Sequence, residues 1–475
     1  MKTTRRSSLA FAAVVAWMLA SGARAQEQQQ RLEKIPGMTD EKAKSLAQQE
    51  AAALEKRGLR DGMVLNKENA KLGEGLVPDE ILNFYKSGDF YNTIVRFPAE
   101  KYSEGPDWDR ASAENASNID LDANNNLIDK RSGKDPGNLQ GWPFPNIDPK
   151  DPKAPIKVYW NNQVKTWHGI GNSAFYLNIT MLSRAGAERN LRVYTYQNHW
   201  IGSPPRLVPQ QNPQSLLEES LTVVESPQDV YGTAQLGVRF RDDKQDLNWA
   251  YVPALRRVRE VSPANRSDGF LGSDISQDDA SFFDGKVTNF DFKLVGEGEM
   301  LCVADPVSLS GVYPKRIPSP QYPGGWRDFM SPDKGASGFM KADWKGVPWA
   351  PADQALVLRP VWIIDLVPKD RYYLYGKIQL AIDKLTWEGC YNRKWSWKGE
   401  LLHDYIANHN LPLPQKNPDG SVDYFDAGLV IYRSGINFKL DRASNVNFPS
   451  DVWIDRNVKF PANWFDYQSL NRFGK

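Results

Sequence analysis

Short runs of alternating apolar and polar residues, separated by turn residues, recur from about residue 155 onward. In the run NFDFKLV, Phe290, Phe292 and Leu294 alternate with Asp291 and Lys293. Successive side chains of a strand point to opposite faces, so one face of such a strand is apolar and the other contacts water. This alternation predicts a mainly β fold built around an antiparallel sheet.

Other runs follow the same pattern, among them LRVYTYQ, LNWAYVP, RPVWIIDLV and LTWEGCY. The stretch RYYLYGKIQLAIDKLTWEGCY predicts two strands joined by a turn at Asp383 and Lys384. The chain has 35 Gly and 32 Pro, which favours a turn-rich β protein over a helical bundle. Its net charge of +1 argues against a general nucleic-acid binder, which needs a basic excess to neutralise phosphates.

The N-terminus has the layout of a secretory signal. A basic start precedes an apolar stretch of 12 residues from Leu9 to Ala20, and the small-residue motif Ala23-Arg24-Ala25 follows. A stretch of that length is too short to span a bilayer as a helix. The sequence predicts a signal peptide over residues 1–25, cleavage after Ala25 and export to the periplasm, with an uncleaved anchor as the alternative.

Export to an oxidising compartment bears on the two cysteines, Cys302 and Cys390. They can form one disulfide, and both lie in strand-like segments. The alternative is a pair of buried free thiols that act as small apolar side chains.

The chain divides by composition into two regions after the signal. Residues 26–150 form an N-terminal helical and loop region, with one helix between Thr39 and Gly58 and a shorter one that ends at Gly88. Within this region and just beyond it, residues 103–155 are rich in Pro, Gly, Asn and Asp and predict an extended loop. Residues 151–475 form the β domain, with inserts.

Motifs for common catalytic chemistry are missing. The sequence has no H-E-x-x-H, C-x-x-C, G-x-S-x-G or phosphate loop, and its four His lie in unrelated contexts. The stretch DLDANNNLID resembles half of a calcium loop, but Asn125 replaces the turn glycine and Arg131 replaces the bidentate Glu. We therefore expect no enzyme activity, no catalytic residue, no metal and no cofactor.

One segment resembles a known family. LNWAYVPALRRVREVSPANRSDGFLGSDISQDD is similar to the Tyr-x-Pro, Arg-rich and Phe-x-Gly-Ser-Asp segment of the large exported branch of the LolA/LolB-like (outer-membrane lipoprotein-sorting-like) superfamily, an uncharacterised domain-of-unknown-function family. The motif residues here are Tyr251, Pro253, Arg256, Arg257, Ser262, Arg266, Phe270, Gly272, Ser273 and Asp274. The resemblance extends over most of residues 60–405, apart from inserts at 103–155 and 314–350.

This resemblance implies a curved antiparallel half-barrel with helices covering its open mouth. It also implies a non-enzymatic carrier of a lipid or other hydrophobic molecule with an acyl chain. The implied partners are an RND-type exporter or an outer-membrane component.

On this reading, aromatic and aliphatic side chains of alternating strands line a hydrophobic cavity. The candidates are Trp249, Tyr251, Phe290, Phe292, Trp362 and Ile364. For each of them the alternative is ordinary core packing.

The basic run that follows the turn at Pro253 is expected at the cavity rim or on the outer face. Arg256, Arg257 and Arg259 would contact lipid headgroups or a partner there, and a solvated face is the alternative. The Ser-Gly-Asp loop that follows is expected to cap the hairpin.

Two other function classes stay open. One is an assembly partner of an envelope complex that carries no ligand. The other is a secreted carbohydrate-binding or carbohydrate-cleaving protein, which the 16 Trp would suit.

Overall fold

The computed structural model describes most of the chain after the N-terminus. The described residues are 29–31, 35, 37–168, 172–202, 212–279, 282–314, 316–329, 336–416, 422–426, 431–448, 453–461 and 463–473. The predicted signal peptide, residues 1–25, lies outside these ranges.

The helices within these ranges are α1 (Asp40–Lys56), α2 (Asp79–Ser87), α3 (Pro106–Asn118), α4 (Ala154–Trp167), α5 (Pro306–Leu309) and α6 (Leu470–Phe473). None of these described helices is long and apolar enough to cross a membrane.

The strands of the first half of the chain are short, apart from a long meander. They are β1 (Gln29–Arg31), β2 (Val64–Leu65), β3 (Asn92–Ile94), β4 (Ile119–Leu121), β5 (Leu127–Asp129), β6 (Ser173–Ser183), β7 (Gly186–His199), β8 (Leu216–Ser226), β9 (Ala234–Phe240), β10 (Leu247–Val252) and β11 (Arg257–Glu260).

The second half begins with a long strand. Its strands are β12 (Phe290–Ala304), β13 (Val312–Pro314), β14 (Arg316–Pro318), β15 (Trp326–Phe329), β16 (Ala355–Pro368), β17 (Lys377–Asp383), β18 (Gly389–Trp395), β19 (Leu401–Ala407), β20 (Pro412–Lys416), β21 (Val422–Asp426), β22 (Arg433–Asn437), β23 (Arg442–Asn447) and β24 (Trp453–Arg456).

Most of these strands belong to one large sheet. Its antiparallel order is β11-β10-β9-β8-β7-β6-β23-β22-β19-β18-β17-β16-β12. A branch of β24, β15 and β14 leaves β6, and β16 pairs in parallel with β3, which continues to β2. Among the described residues the end strands β11 and β12 do not pair with each other, so the sheet is open. The predicted mainly β fold, an open sheet with helices, is confirmed.

Contacts across the sheet require it to curve. Asn392 of β18 donates a hydrogen bond to the carbonyl of Phe282 (2.8 Å), while Arg239 of β9 contacts Asp284, only two residues further on. Seven strand-to-strand steps separate β9 from β18, which is roughly 34 Å in a flat sheet with strands about 4.8 Å apart. Two residues of extended chain span only about 7 Å. The sheet therefore bends around the segment 262–287, whose described residues, 262–279 and 282–287, lie on its concave face.

The convex face packs against the N-terminal helices. Leu54 of α1 and Tyr85 of α2 belong to the same buried cluster as Ile406 of β19 and Ile436 of β22. Since β2 and β3 also join the main sheet, residues 26–150 complete the core of the β domain.

The two N-terminal helices begin and end as their sequences predict. Thr39 caps α1 by accepting a hydrogen bond from the backbone N–H of Lys42 (3.2 Å), and α1 ends two residues before Gly58. Gly88 ends α2 in the left-handed conformation (φ 84°), which costs glycine little.

The prediction of an extended loop over residues 103–155 was wrong in part, because this insert contains α3 and the β4–β5 hairpin. Pro106 lies at the start of α3, where its missing N–H costs nothing. The helix is held by Trp108, which is buried and packs edge-on against Trp142 (5.1 Å between ring centroids). Trp108 is the one large apolar residue that this helix buries, and a single residue gives the sequence no apolar repeat of helical period.

Helix α4 covers one end of the concave face. Its sequence begins with β-branched and aromatic residues, which resemble the strand runs nearby, yet Ala154 to Lys165 are buried except for a half-buried Lys157. A helix enclosed on all sides loses the amphipathic pattern that would identify it. Tyr159 packs on Phe292 of β12 (5.3 Å between ring centroids), and Lys165 pairs with buried Glu104 (3.1 Å).

Candidate functional site

A cavity of about 280 Å³ lies on the concave face beside the segment 262–287. Strands β6, β7, β8 and β9 form one wall, and β19, β22, β23 and β24 contribute the rest. In β9, the residues that line the cavity alternate with residues that face the convex side. The register of the strand therefore decides which of its side chains reach the cavity.

One part of the wall is apolar. It is formed by aliphatic and aromatic side chains from β6, β7, β23, β24 and the adjoining loops: Phe175, Leu177, Ile179, Val193, Phe270, Ile275, Ile431, Val446, Phe448 and Ile454. The cross-strand neighbours Val446 and Ile179, and then Leu177 and Val193, make this surface continuous.

The wall becomes polar toward β8 and β9. These two strands contribute Glu218, Ser220, Thr222, Gln235, Gly237 and Arg239. The cavity therefore offers apolar and hydrogen-bonding surface side by side.

The segment 262–287 separates this cavity from the rest of the concave face, and buried ion pairs hold it. Arg239 contacts Asp284 and also Asp246 (3.3 Å), while Arg266 bonds Asp278 (2.7 Å) and Asp284 (3.3 Å). Buried charges are tolerated when they are paired and hydrogen-bonded in this way.

The other end of the segment is held to β22 and β23. Asp274 accepts hydrogen bonds from Asn437 (2.9 Å) and Arg442 (3.0 Å), and its backbone N–H donates to Ser444 (2.9 Å). Gly435 makes this approach possible, since a Cβ there would lie 2.6 Å from the carbonyl oxygen of Asp274. The expectation that the Ser-Gly-Asp loop caps the β10–β11 hairpin was wrong, because these contacts place the loop over β22 and β23.

Glu218 is a cavity carboxyl whose pKa is shifted by its surroundings. Burial, with a further contribution from the negative charge of Asp284, raises the pKa of Glu218 to about 7, and the charge of Arg239 opposes the shift. Near neutral pH this side chain can therefore present either a carboxylate or a hydrogen-bond donor to the cavity.

The structure does not bring the predicted cavity residues to this site. Trp249 and Tyr251 pair across β9 with Leu236 and Ala234, which face the convex side, whereas Gln235 faces the cavity. Both aromatic rings pack instead against the C-terminal segment, with Leu470 at the centre of that cluster. Alternation assigns residues to two faces without saying which face is concave, and neither ring lines this cavity, so a binding role for them stays a prediction.

Four other candidates face the concave side but lie at its covered end. Phe290, Trp362 and Ile364 belong to the buried cluster that includes Tyr159 of α4, and Phe292 packs against its edge. None of these four lines the cavity beside the segment 262–287, and core packing accounts for their positions, so a binding role for them stays a prediction.

Phe290 additionally borders a separate polar cleft of about 390 Å³, next to Asp278 and Lys286.

Arg256, Arg257 and Arg259 are exposed at the turn before β11 and along that strand. Because β11 ends the sheet, this basic hairpin lies on an open edge. Whether it contacts a headgroup or a partner stays a prediction.

The sequence reasoning missed the charged residues of the cavity. Arg266, Asp279 and Asp284 lie in the stretch NRSDGFLGSDISQDDASFFDG, where acidic residues are mixed with Phe, Leu and Ile. Loop segments that bury a core seldom combine such residues unless the charges are paired. The mixture of acidic and apolar residues in this stretch is therefore the sequence feature that could have indicated buried ion pairs.

Cys302 and Cys390 are bonded, with an S–S distance of 2.06 Å. The bond joins β12 to β18, which are separated by β16 and β17 along the sheet. Within the described part of the chain, His409 lies close enough to both sulfur atoms to share a metal ion with them. The disulfide removes the two thiolates that such a site would use.

A family model for proteins of unknown function, DUF1329, matches residues 64–428. The chain belongs to this family. No curated protein matches it in sequence.

Solved structures with similar chains share little sequence with this DUF1329 protein. A domain named for outer membrane lipoprotein sorting, from Vibrio parahaemolyticus, is 16% identical; the match covers 66% of this chain and 97% of that one, with a TM-score of 0.40. A DUF1329 family protein from Desulfovibrio piger is also 16% identical, covering 66% and 99%, with a TM-score of 0.40. A LolA superfamily protein from Nitrosomonas europaea is 11% identical, covering 64% and 94%, with a TM-score of 0.34.

Proposed function

We propose that this protein is a periplasmic carrier or binding protein for a lipid or another molecule with a hydrophobic chain. The observation that supports the proposal is the cavity on the concave face, whose apolar wall runs across β23, β6 and β7. An apolar surface that strands hold open can shield a hydrocarbon from water without any catalytic group.

The energetics suit a single-chain ligand. Each buried CH₂ contributes about 0.8 kcal/mol, so a chain of a dozen carbons gains roughly 10 kcal/mol before the entropy of binding is subtracted. The cavity volume of about 280 Å³ lies at the lower end of the usual range for ligand pockets, about 300–1,000 Å³. A bulky multi-chain lipid would need space outside this cavity.

Export is part of the same proposal. The signal-like N-terminus would deliver the protein to the periplasm, where an RND-type exporter or an outer-membrane component would supply or receive the ligand. The exposed arginines Arg256, Arg257 and Arg259 are the proposed contact surface for that partner or for a membrane.

The first test is organic extraction of the purified mature protein, followed by mass spectrometry for lipids. We expect a hydrophobic molecule at a stoichiometric amount. Leu177 lines the cavity, so Leu177→Trp should fill it and lower the lipid content several-fold. Leu374 is 43% exposed, and Leu374→Trp makes the same change away from the cavity as a control.

An extract without lipid from the wild type, together with no binding of a fluorescent fatty acid, would contradict the carrier proposal. The basic hairpin on the open edge strand β11 would then favour an assembly partner of an envelope complex. In that case Arg257→Glu and Arg259→Glu should release co-purifying envelope proteins while Leu177→Trp has no effect.

A further inference from the structure

Four arginines line the cavity, and three of them are neutralised by carboxylates. Arg239 pairs with Asp284 and Asp246, and Arg266 pairs with Asp278 and Asp284. A third, Arg456, bonds Asp328 from outside the cavity wall (2.8 Å).

Arg433 differs from these three. It is the first residue of β22, its side chain is half-buried, and its guanidinium makes no hydrogen bond or ion pair with any residue that the structure describes. An arginine in a protein wall ordinarily finds an acceptor, because its five N–H donors are costly to leave without partners. This guanidinium therefore has its donors available to the cavity.

The surroundings of Arg433 are apolar. Across the β22–β23 pair it faces Val446, and Val446 in turn faces Ile179 across β23 and β6. Ile431 and Phe448 also line the cavity. A fixed positive charge thus stands at the border of the hydrocarbon-like wall.

The negative groups of the cavity lie elsewhere or are already paired. Asp279 is held by Lys394 and Asn392, and Asp284 by the arginines named above. Glu218 lies on β8, four strands from β22 along the sheet, and is partly protonated near neutral pH. The cavity has no other carboxylate among its described lining residues, so an incoming anion would not compete with a local partner for Arg433.

Tyr405 stands near Arg433 and lines the same cavity. Burial raises the pKa of Tyr405, and the positive charge of Arg433 opposes that shift. The tyrosine keeps its proton at physiological pH and can donate a hydrogen bond toward the same anion.

We propose that Arg433 binds the anionic head group of a single-chain amphiphile whose hydrocarbon lies along Leu177, Ile179 and Val446. This inference rests on the proposed carrier function and adds the chemical class of the ligand. The head group is an oxyanion, a carboxylate or a phosphate, because a guanidinium matches both in a bidentate geometry.

The test compares four twelve-carbon probes by calorimetry on the full mature chain: dodecanoate, dodecyl phosphate, dodecanol and dodecylammonium. The wild type should bind at least one of the two anions about tenfold or more tightly than dodecanol, since a charge-assisted hydrogen bond in a protein wall has that effect. The stronger of the two anions identifies carboxylate or phosphate as the head group.

Arg433→Gln should remove the preference for the anion while dodecanol binds as before. Arg433→Glu should reverse it and favour dodecylammonium, an outcome that loss of folding cannot produce. Arg110, on the exposed face of α3, pairs with exposed Asp107 among the described residues, so Arg110→Gln is the matched control for the change in net charge.

Two outcomes contradict the inference and are distinguishable. If Arg433→Gln binds anions and dodecanol with the wild-type preference, the head-group site is wrong and the carrier proposal stands. If the wild type binds none of the four probes, the carrier proposal fails and the head-group site fails with it.

Discussion

The two ends of the concave face are both lined by apolar side chains. One end is covered by α4, whereas the other end lines a cavity. At one end Ile364 on β16 is fully buried beneath α4, in a cluster with aromatic side chains. At the other end Ile179 on β6 lines a cavity of about 280 Å³. Both are aliphatic residues on long antiparallel strands, and only their cover differs. An apolar strand face becomes core or binding surface according to what folds over it.

The largest expected effect comes from truncating the same side chain at the two ends. Ile364→Ala should lower the free energy of unfolding by about 3–5 kcal/mol, because the closely packed side chains around it cannot collapse into the space. Ile179→Ala should lower it by less than about 2 kcal/mol, because part of its surface already lacks partner atoms. Urea denaturation at constant m measures both values. Equal losses would mean that the cavity end is packed like the core.

The disulfide adds a third location, since it joins β12 to β18 within the buried cluster that packs against the N-terminal helices and closes an interval of 88 residues. Replacing Cys302 and Cys390 by Ala should lower the free energy of unfolding by about 2–4 kcal/mol, because the unfolded chain gains freedom. Hydrogen exchange should become faster in β12 and β18 while β7 and β8 keep their protection. Faster exchange throughout the cavity strands would show that the two ends unfold as one unit.

A smaller effect at the cavity end depends on pH. Burial raises the pKa of Glu218 from 4.5 to about 7, so the folded protein binds more protons than the unfolded chain between these values. The contribution of Glu218 to stability is therefore present below pH 4.5 and lost as the pH rises through 7. Glu218→Gln keeps the neutral form at every pH.

We expect Glu218→Gln to unfold like the wild type at pH 4.5 and to be more stable than it at pH 8, by up to about 3 kcal/mol. Thermal unfolding of both proteins across this range measures the difference. The same substitution at exposed Glu41, where no burial acts, is the control. A constant difference at all pH values would mean that Glu218 is ionised in the folded protein throughout.

Local signals predicted much of the fold. The strands around Phe290 and Trp362, the turn at Asp383 and the helix after Thr39 all follow from alternation, turn residues and capping, which act between near neighbours. Helix α4 could not be predicted this way, because its surroundings bury it on every side and remove the polar stripe.

The residues that line the cavity could be predicted less well, because the sequence does not show which face of each strand lies on the concave side. Alternation places Trp249 and Tyr251 on one face of β10 but does not state which face curves inward, and a one-residue change exchanges the two. The role of Arg433 depends on Val446 and Tyr405, which reach it only through the pairing of β22 with β23 and β19. No spacing along the chain encodes these neighbours.

The described residues of the segment 262–287 cross the concave face between the two ends, with ion pairs to β9 and β18 and a hydrogen bond to β22. Displacing it would separate Arg239 and Arg266 from Asp284, and breaking buried ion pairs in this way is strongly destabilising. The far end of the cavity is thus fixed rather than elastic, and it limits how deep a guest can reach. Under the proposed carrier function, a hydrocarbon chain longer than this depth would leave its last carbons in water, and the segment would set the ligand length that binds best.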